Sequence, residues 1–86
     1  MNYLINNQIF KDIKIYPNPV SDQLIIESER QGFEFVVLDI TGKEISLAKE
    51  EFNTKTIFDT QNLSSGVYFL NVKSENSNQI FKFVKE

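Results

Sequence analysis

An all-β antiparallel sandwich of about seven short strands is the fold the sequence predicts, on three observations. Short apolar runs recur roughly every 8–12 residues and are divided by turn-forming residues, the spacing of a sandwich. Ile, Val and Phe abound while Ala48 is the single alanine, a balance that favours strand over helix. Both prolines, Pro17 and Pro19, sit in one seven-residue stretch, Lys14-Ile15-Tyr16-Pro17-Asn18-Pro19-Val20. Each proline fixes its own φ and lacks a backbone donor, and each pushes its predecessor, Tyr16 or Asn18, toward extended geometry. Such a stretch ends or kinks an edge strand and has no place in the middle of a sheet.

Residues 1–10, rich in Asn, read as a linker or cloning remnant, and 11–86 as the domain, although Ile9-Phe10 is apolar enough to lead into the first strand. That strand runs to Tyr16, with Ile13 and Ile15 alternating with Lys14. Val20-Ser21-Asp22 is a turn, residues 23–29 are a second strand, and Arg30-Gln31-Gly32 turns the chain again. Residues 33–40 form the strongest apolar run; both of its faces are mostly apolar, as in a central strand. Thr41-Gly42 supplies a tight reversal, with Gly42 free to take a positive φ. Residues 43–48 then return as a partner strand. The competing helix through 43–52 is weaker, because the turn before it is a hairpin turn. Residues 55–59 make a short strand, Leu63-Ser64-Ser65-Gly66 a turn, and 67–73 a long strand with Tyr68, Leu70 and Val72 on one face. After the polar turn at 75–78, residues 79–85 form the last strand, in which Phe81 and Phe83 are set against Lys82 and Lys85.

Composition narrows the function. Without cysteine there is neither a disulfide framework nor a thiolate metal site, so packing alone holds the domain together. Without histidine the usual general base and the commonest metal ligand are missing. Glu27/Glu29 and Glu50/Glu51 read as solvated surface rather than as catalytic carboxylate pairs. Residues 75–78 lack the spaced oxygen ligands of a calcium loop, and Gly32, Gly42 and Gly66 are single turn glycines rather than a phosphate cradle. No enzyme activity and no cofactor are expected. A formal charge of −3 with no basic stripe argues against nucleic acid, and no apolar run approaches the ~20 residues that span a bilayer. Tyr16, Tyr68 and the phenylalanines read as core rather than as a sugar platform, for which tryptophan is the usual residue and is absent.

Four motifs, in order, resemble one known family. Ile15-Tyr16-Pro17-Asn18-Pro19 is similar to the opening of the carboxy-terminal sorting domain of the type IX secretion system, type A, of Bacteroidetes. Leu38-Asp39-Ile40-Thr41-Gly42-Lys43 resembles its central strand and Gly-Lys turn. Leu63-Ser64-Ser65-Gly66-Val67-Tyr68 resembles its L-x-x-G-x-Y segment, and Lys82-Phe83-Val84-Lys85 its basic, apolar ending. The resemblance implies an immunoglobulin-like sandwich fused behind a cargo protein that it directs from the periplasm across the outer membrane. It also implies a sortase that removes the domain near its amino-terminal border, leaving cargo released or attached at the surface. The partners implied are the outer-membrane translocon, a shuttle protein, the sortase and the upstream cargo. Beginning at Met1 with neither cargo nor signal peptide, the chain reads as a domain excised from a longer protein.

The signal residues expected from these motifs are Tyr16, Pro17, Asn18, Pro19, Asp39, Gly42, Lys43, Leu63, Gly66, Tyr68, Lys82, Phe83, Val84 and Lys85. Most of them also have a folding role: Asp39 and Gly42 in a hairpin, Leu63 plugging one end, Tyr68 with its ring at the core and its hydroxyl satisfied at the rim. The last strand, as an edge guarded by lysines, together with the Pro-Asn-Pro segment, is expected to be what the machinery reads. The rival readings are a carbohydrate- or adhesion-type binding module and a structural spacer on the same sandwich.

Overall fold

Period-two apolar patterning throughout the chain produces eight strands and no helix in the computed structural model, which describes residues 10–86. They are β1 (Lys14–Tyr16), β2 (Gln23–Glu27), β3 (Glu34–Leu38), β4 (Glu44–Ile45), β5 (Lys49–Glu51), β6 (Lys55–Asp59), β7 (Gly66–Lys73) and β8 (Asn78–Lys85). They form two four-stranded sheets, ordered β1-β2-β6-β5 and β4-β3-β7-β8, and every pair within them is antiparallel. This is the strand order of an immunoglobulin-like sandwich, with β4 as the extra strand beside the three-stranded sheet.

Each sheet turns alternate residues inward. Leu24, Ile26 and Phe58 from the first sheet meet Val37, Tyr68, Leu70, Val72 and Phe83 from the second, and Val20 and Phe10 close the core. Full burial of a side chain of this size stabilises by about 1.5–3 kcal/mol, so this set dominates the stability of so short a chain. Phe10 stacks on Phe33 with ring centroids 5.8 Å apart. It therefore belongs to the core and not to a linker; residues 1–9 of the expected linker lie outside the described residues. Of the strand expected from Ile9 onward, Ile9 lies outside the described residues, and within 10–16 the strand is confined to Lys14–Tyr16. A turn in which the Ile13 amide donates to the Phe10 carbonyl at 3.3 Å occupies the residues before it.

The expected partner strand over 43–48 shrinks to Glu44–Ile45, and a separate strand follows it in the other sheet. Glu44–Ile45 pairs with β3, and Lys49–Glu51 pairs with β6 across the sandwich. Ile45 and Leu47 both pack against the core, and residues 46–48, between β4 and β5, step from one sheet to the other. The alternation of Ile45 and Leu47 records inward-facing positions, and this is blind to the sheet each residue serves. β3 is central, as expected, but it ends at Leu38; Ile40 lies in the turn, 70% exposed. β1 is an edge strand that stops at Pro17, where the missing donor ends pairing. The peptide bonds Tyr16-Pro17 and Asn18-Pro19 are both cis.

Candidate functional site

The expected signal residues fall into three structural groups, separated by what their side chains touch.

The first group builds the β3–β4 turn. One carboxylate oxygen of Asp39 accepts from the Thr41 amide at 2.8 Å, the Thr41 hydroxyl at 2.6 Å and the Lys43 amide at 3.0 Å. The Asp39 amide donates to the Lys43 carbonyl at 2.9 Å, and Gly42 has a φ of 88° that a side chain would strain. The Thr41 hydroxyl first, and then the backbone amide of Lys43, hold the Asp39 carboxyl below its ordinary value of 3.8. A lowered folded value means that the fold favours the ionised form. The stability this contributes is complete above the ordinary value and is lost as pH falls through the lowered one. An Asp39→Asn variant is thus expected to melt below the native protein at pH 7, with the gap closing on acidification below about pH 4; thermal melts across that range check it.

The second group joins β6 to β7. The Tyr68 hydroxyl donates to the Ser64 carbonyl, four residues upstream, at 2.7 Å. This is the tyrosine corner of immunoglobulin-like sandwiches, in which a tyrosine near the start of the corresponding strand ties down the preceding crossover. Leu63 packs against the core below the corner, and Gly66, with φ 148°, opens β7. The Tyr68 ring stacks on Phe83 at 5.7 Å, so this motif and the last strand share one buried contact.

The third group unites the two ends of the domain. Asn18 lies against the outer edge of β8: its Oδ1 accepts from the Val84 amide at 3.0 Å and its Nδ2 donates to the Lys82 carbonyl at 3.5 Å. Two residues on, the Val20 amide donates to the Val84 carbonyl at 2.8 Å and the Glu86 amide to the Val20 carbonyl at 2.9 Å. Val20 forms a parallel bridge with Lys85 and is fully buried. The segment expected to be poorly paired thus acts as a short surrogate strand, using an asparagine side chain where proline leaves no donor. The residue expected in a turn, Val20, is a core residue.

Lys85 also departs from expectation. Counting by twos places 85 with 81 and 83, so it faces inward and does not guard the edge. It is 8% exposed, and its Nζ donates to the carbonyls of Ser21 and Thr60, each at 2.9 Å, and Gln61 at 3.3 Å. Three donors meet three acceptors, which is what a buried ammonium requires. Thr60, fully buried, donates its hydroxyl to the same Ser21 carbonyl at 2.9 Å. Nothing in the sequence singled out Thr60, Gln61 or Val20, because their roles rest on contacts many residues away. Of the ending motif, Phe83 is core, Lys82 is exposed and Val84 is half-buried on the outer face.

Tyr16 stands 36% exposed on the outer face of the first sheet. Partial desolvation, and then the Glu27 carboxylate, raise its phenol above the ordinary 10.0. Among the described residues no three acidic, cysteine or histidine side chains are grouped to hold a metal ion.

The order of these motifs matches a sequence family described as the secretion system C-terminal sorting domain, over residues 14–86. The chain belongs to this family. A search of curated proteins finds no match. The family is that of the type IX secretion system: its domains are signals, carried on a cargo protein and exported with it to the cell surface or beyond. In this sorting domain the match begins at β1 and takes in all three groups, so the family's span coincides with the strands that carry the Asn18–β8 junction.

Asn18→Ala in the sorting domain removes the acceptor of the Val84 amide at an exposed site, where water partly replaces it. The expected loss is about 0.5–1.5 kcal/mol, with faster hydrogen exchange at Val84 and unchanged exchange at Leu70. Equal exchange at Val84 in both proteins would refute the clamp.

Proposed function

We propose that this sorting domain carries a fused cargo from the periplasm through the outer-membrane translocon, and that a surface sortase then cuts it away near the amino-terminal border. The shuttle and translocon read the junction of the Pro-Asn-Pro-Val segment with β8. One observation carries this reading. The first and last motifs, more than 60 residues apart, are joined by the Asn18–Val84 bond and the Val20–Lys85 bridge into one surface. A machine that reads the junction accepts only a domain whose two ends have folded together, which protects export from unfolded cargo tails.

The test fuses the domain, behind a signal peptide and a passive reporter, into cells with an intact type IX system and into cells lacking its translocon. Reporter at the surface or in the medium of the first strain, freed of the domain, and trapped in the periplasm of the second, is the expected result. Equal export from both strains would overturn the reading.

A further inference from the structure

The two sheets differ on their outer faces. On the β4-β3-β7-β8 sheet, Val37, Tyr68, Leu70, Val72, Phe81 and Phe83 point inward, so Val36, Leu38, Val67, Phe69, Ile80 and Val84 point outward. None of these six packs against the core cluster. Register aligns them in rows: Val36–Asn71–Ile80, then Leu38–Phe69–Lys82, then Val67–Val84. The outer face of the other sheet has only Ile25 and Ile57 side by side. They are set between the half-exposed Tyr16 and the exposed Glu50, and the Glu27–Lys55 ion pair at 3.6 Å lies in the next row.

The edge beside the apolar face is half open. The outward backbone groups of β8 from Lys82 to Glu86 are engaged: the Lys82 carbonyl and the Val84 amide by Asn18, and the Val84 carbonyl and the Glu86 amide by Val20. Backbone groups alternate by twos along a strand, so the N–H and C=O of Ile80 point the same way, and no described strand pairs with them. Ile80 is 53% exposed.

We propose that this face, with the open edge at Ile80, docks a short extended segment of a partner protein that has alternate apolar side chains and a carboxylate opposite Lys82. Size decides against a second copy of the chain. Three strands by three rows cover roughly 200 Å², far below the ~800 Å² per partner of a stable dimer. A segment of about five extended residues spans the three rows on the face, and at its Ile80 end it pairs with the open backbone groups there, the kind of pairing from which such segments gain affinity. Charge decides the chemistry. Lys82 stands in the middle row and is in neither of the two ion pairs among the described residues, whereas Lys73 lies opposite Glu34. Glu44, at the far end of that row, is about 14 Å away across three strand spacings. This deepens the sorting reading and rests on it: the strand belongs to the export machinery.

The reporter fusion tests it. Ile80→Lys, at an exposed position that tolerates the change, and Leu38→Lys are each expected to cut export about tenfold, the scale of one lost hot-spot contact. Ile25→Lys and Ile57→Lys on the opposite sheet leave it within about twofold. Lys82→Glu lowers export while Lys82→Arg keeps it. Thermal melts of each variant separate docking from folding, and Ile80→Lys remains decisive if Leu38→Lys unfolds. Normal export of Ile80→Lys and Lys82→Glu, while the unaltered domain still depends on the translocon, overturns the docking face and leaves the sorting reading standing. A concentration-dependent dimer dissolved by Ile80→Lys would assign the face to a second copy and also overturn the proposal.

Discussion

Phe83→Ala is expected to destabilise the domain by about 3–5 kcal/mol. Phe83 is 1% exposed, and its ring lies on Tyr68 at 5.7 Å. Truncation removes the transfer energy of the ring, leaves a cavity in the core between the two sheets, and takes away the support of the tyrosine corner. A domain of this size has only about 5–15 kcal/mol of stability in all, so the variant approaches unfolding at growth temperature. Phe83→Leu, which refills most of the space, is expected to cost about 1–2 kcal/mol. Urea unfolding of both variants decides the matter; a loss below about 1.5 kcal/mol for the alanine variant would mean that the two sheets collapse to fill the gap. Export should fall with stability here, unlike at Ile80, where export falls and stability does not.

Lys85→Met is expected to cost about 2–4 kcal/mol even though the methionine stem packs as well as the lysine's. The stem is not what matters at this position. Three carbonyl oxygens converge on the ammonium, and charged donors make the stronger class of hydrogen bond. Two of those oxygens keep another partner: Ser21 has the Thr60 hydroxyl, and Thr60 has the Leu63 amide at 3.1 Å. That limits the loss, leaving the Gln61 carbonyl as the oxygen without replacement. Lys85→Arg should not rescue, because a planar fork cannot point three donors at one converging set. Equilibrium unfolding of the three proteins tests this; equal stability of the methionine variant would show that water enters and satisfies the oxygens. The consequence for function is direct. The strand end that carries the signal motif is bolted to the 60–61 loop, so Lys85 acts through position and is not offered to a partner.

Much of the architecture was legible from local pattern. The alternation of Tyr68, Leu70 and Val72 named the inner face of β7, the two apolar faces of 33–40 named a central strand, and the prolines named an edge. The errors arose where one residue pattern serves two three-dimensional outcomes. Ile45 and Leu47 alternate as one strand does, yet the chain changes sheets around them. Lys82 and Lys85 are the same residue type, yet they stand at opposite parity on β8, one at the surface and the other enclosed with Phe81 and Phe83. The tyrosine corner was half legible: Gly66 and Tyr68 drew attention, but the acceptor, a backbone carbonyl at Ser64, carries no sequence mark.

By itself the sequence determined the fold class, the family and the residues of its four motifs, because these depend on side-chain period, backbone constraint and motif order within short windows. Only the tertiary structure decided what those residues do. Asn18 is a clamp on β8, Lys85 a buried bolt and Val20 a core residue, since each role depends on groups more than 20 residues distant in the chain. The apolar outer face of β3, β7 and β8 is of the same kind: its six residues lie in three separate stretches, and only strand register makes them neighbours.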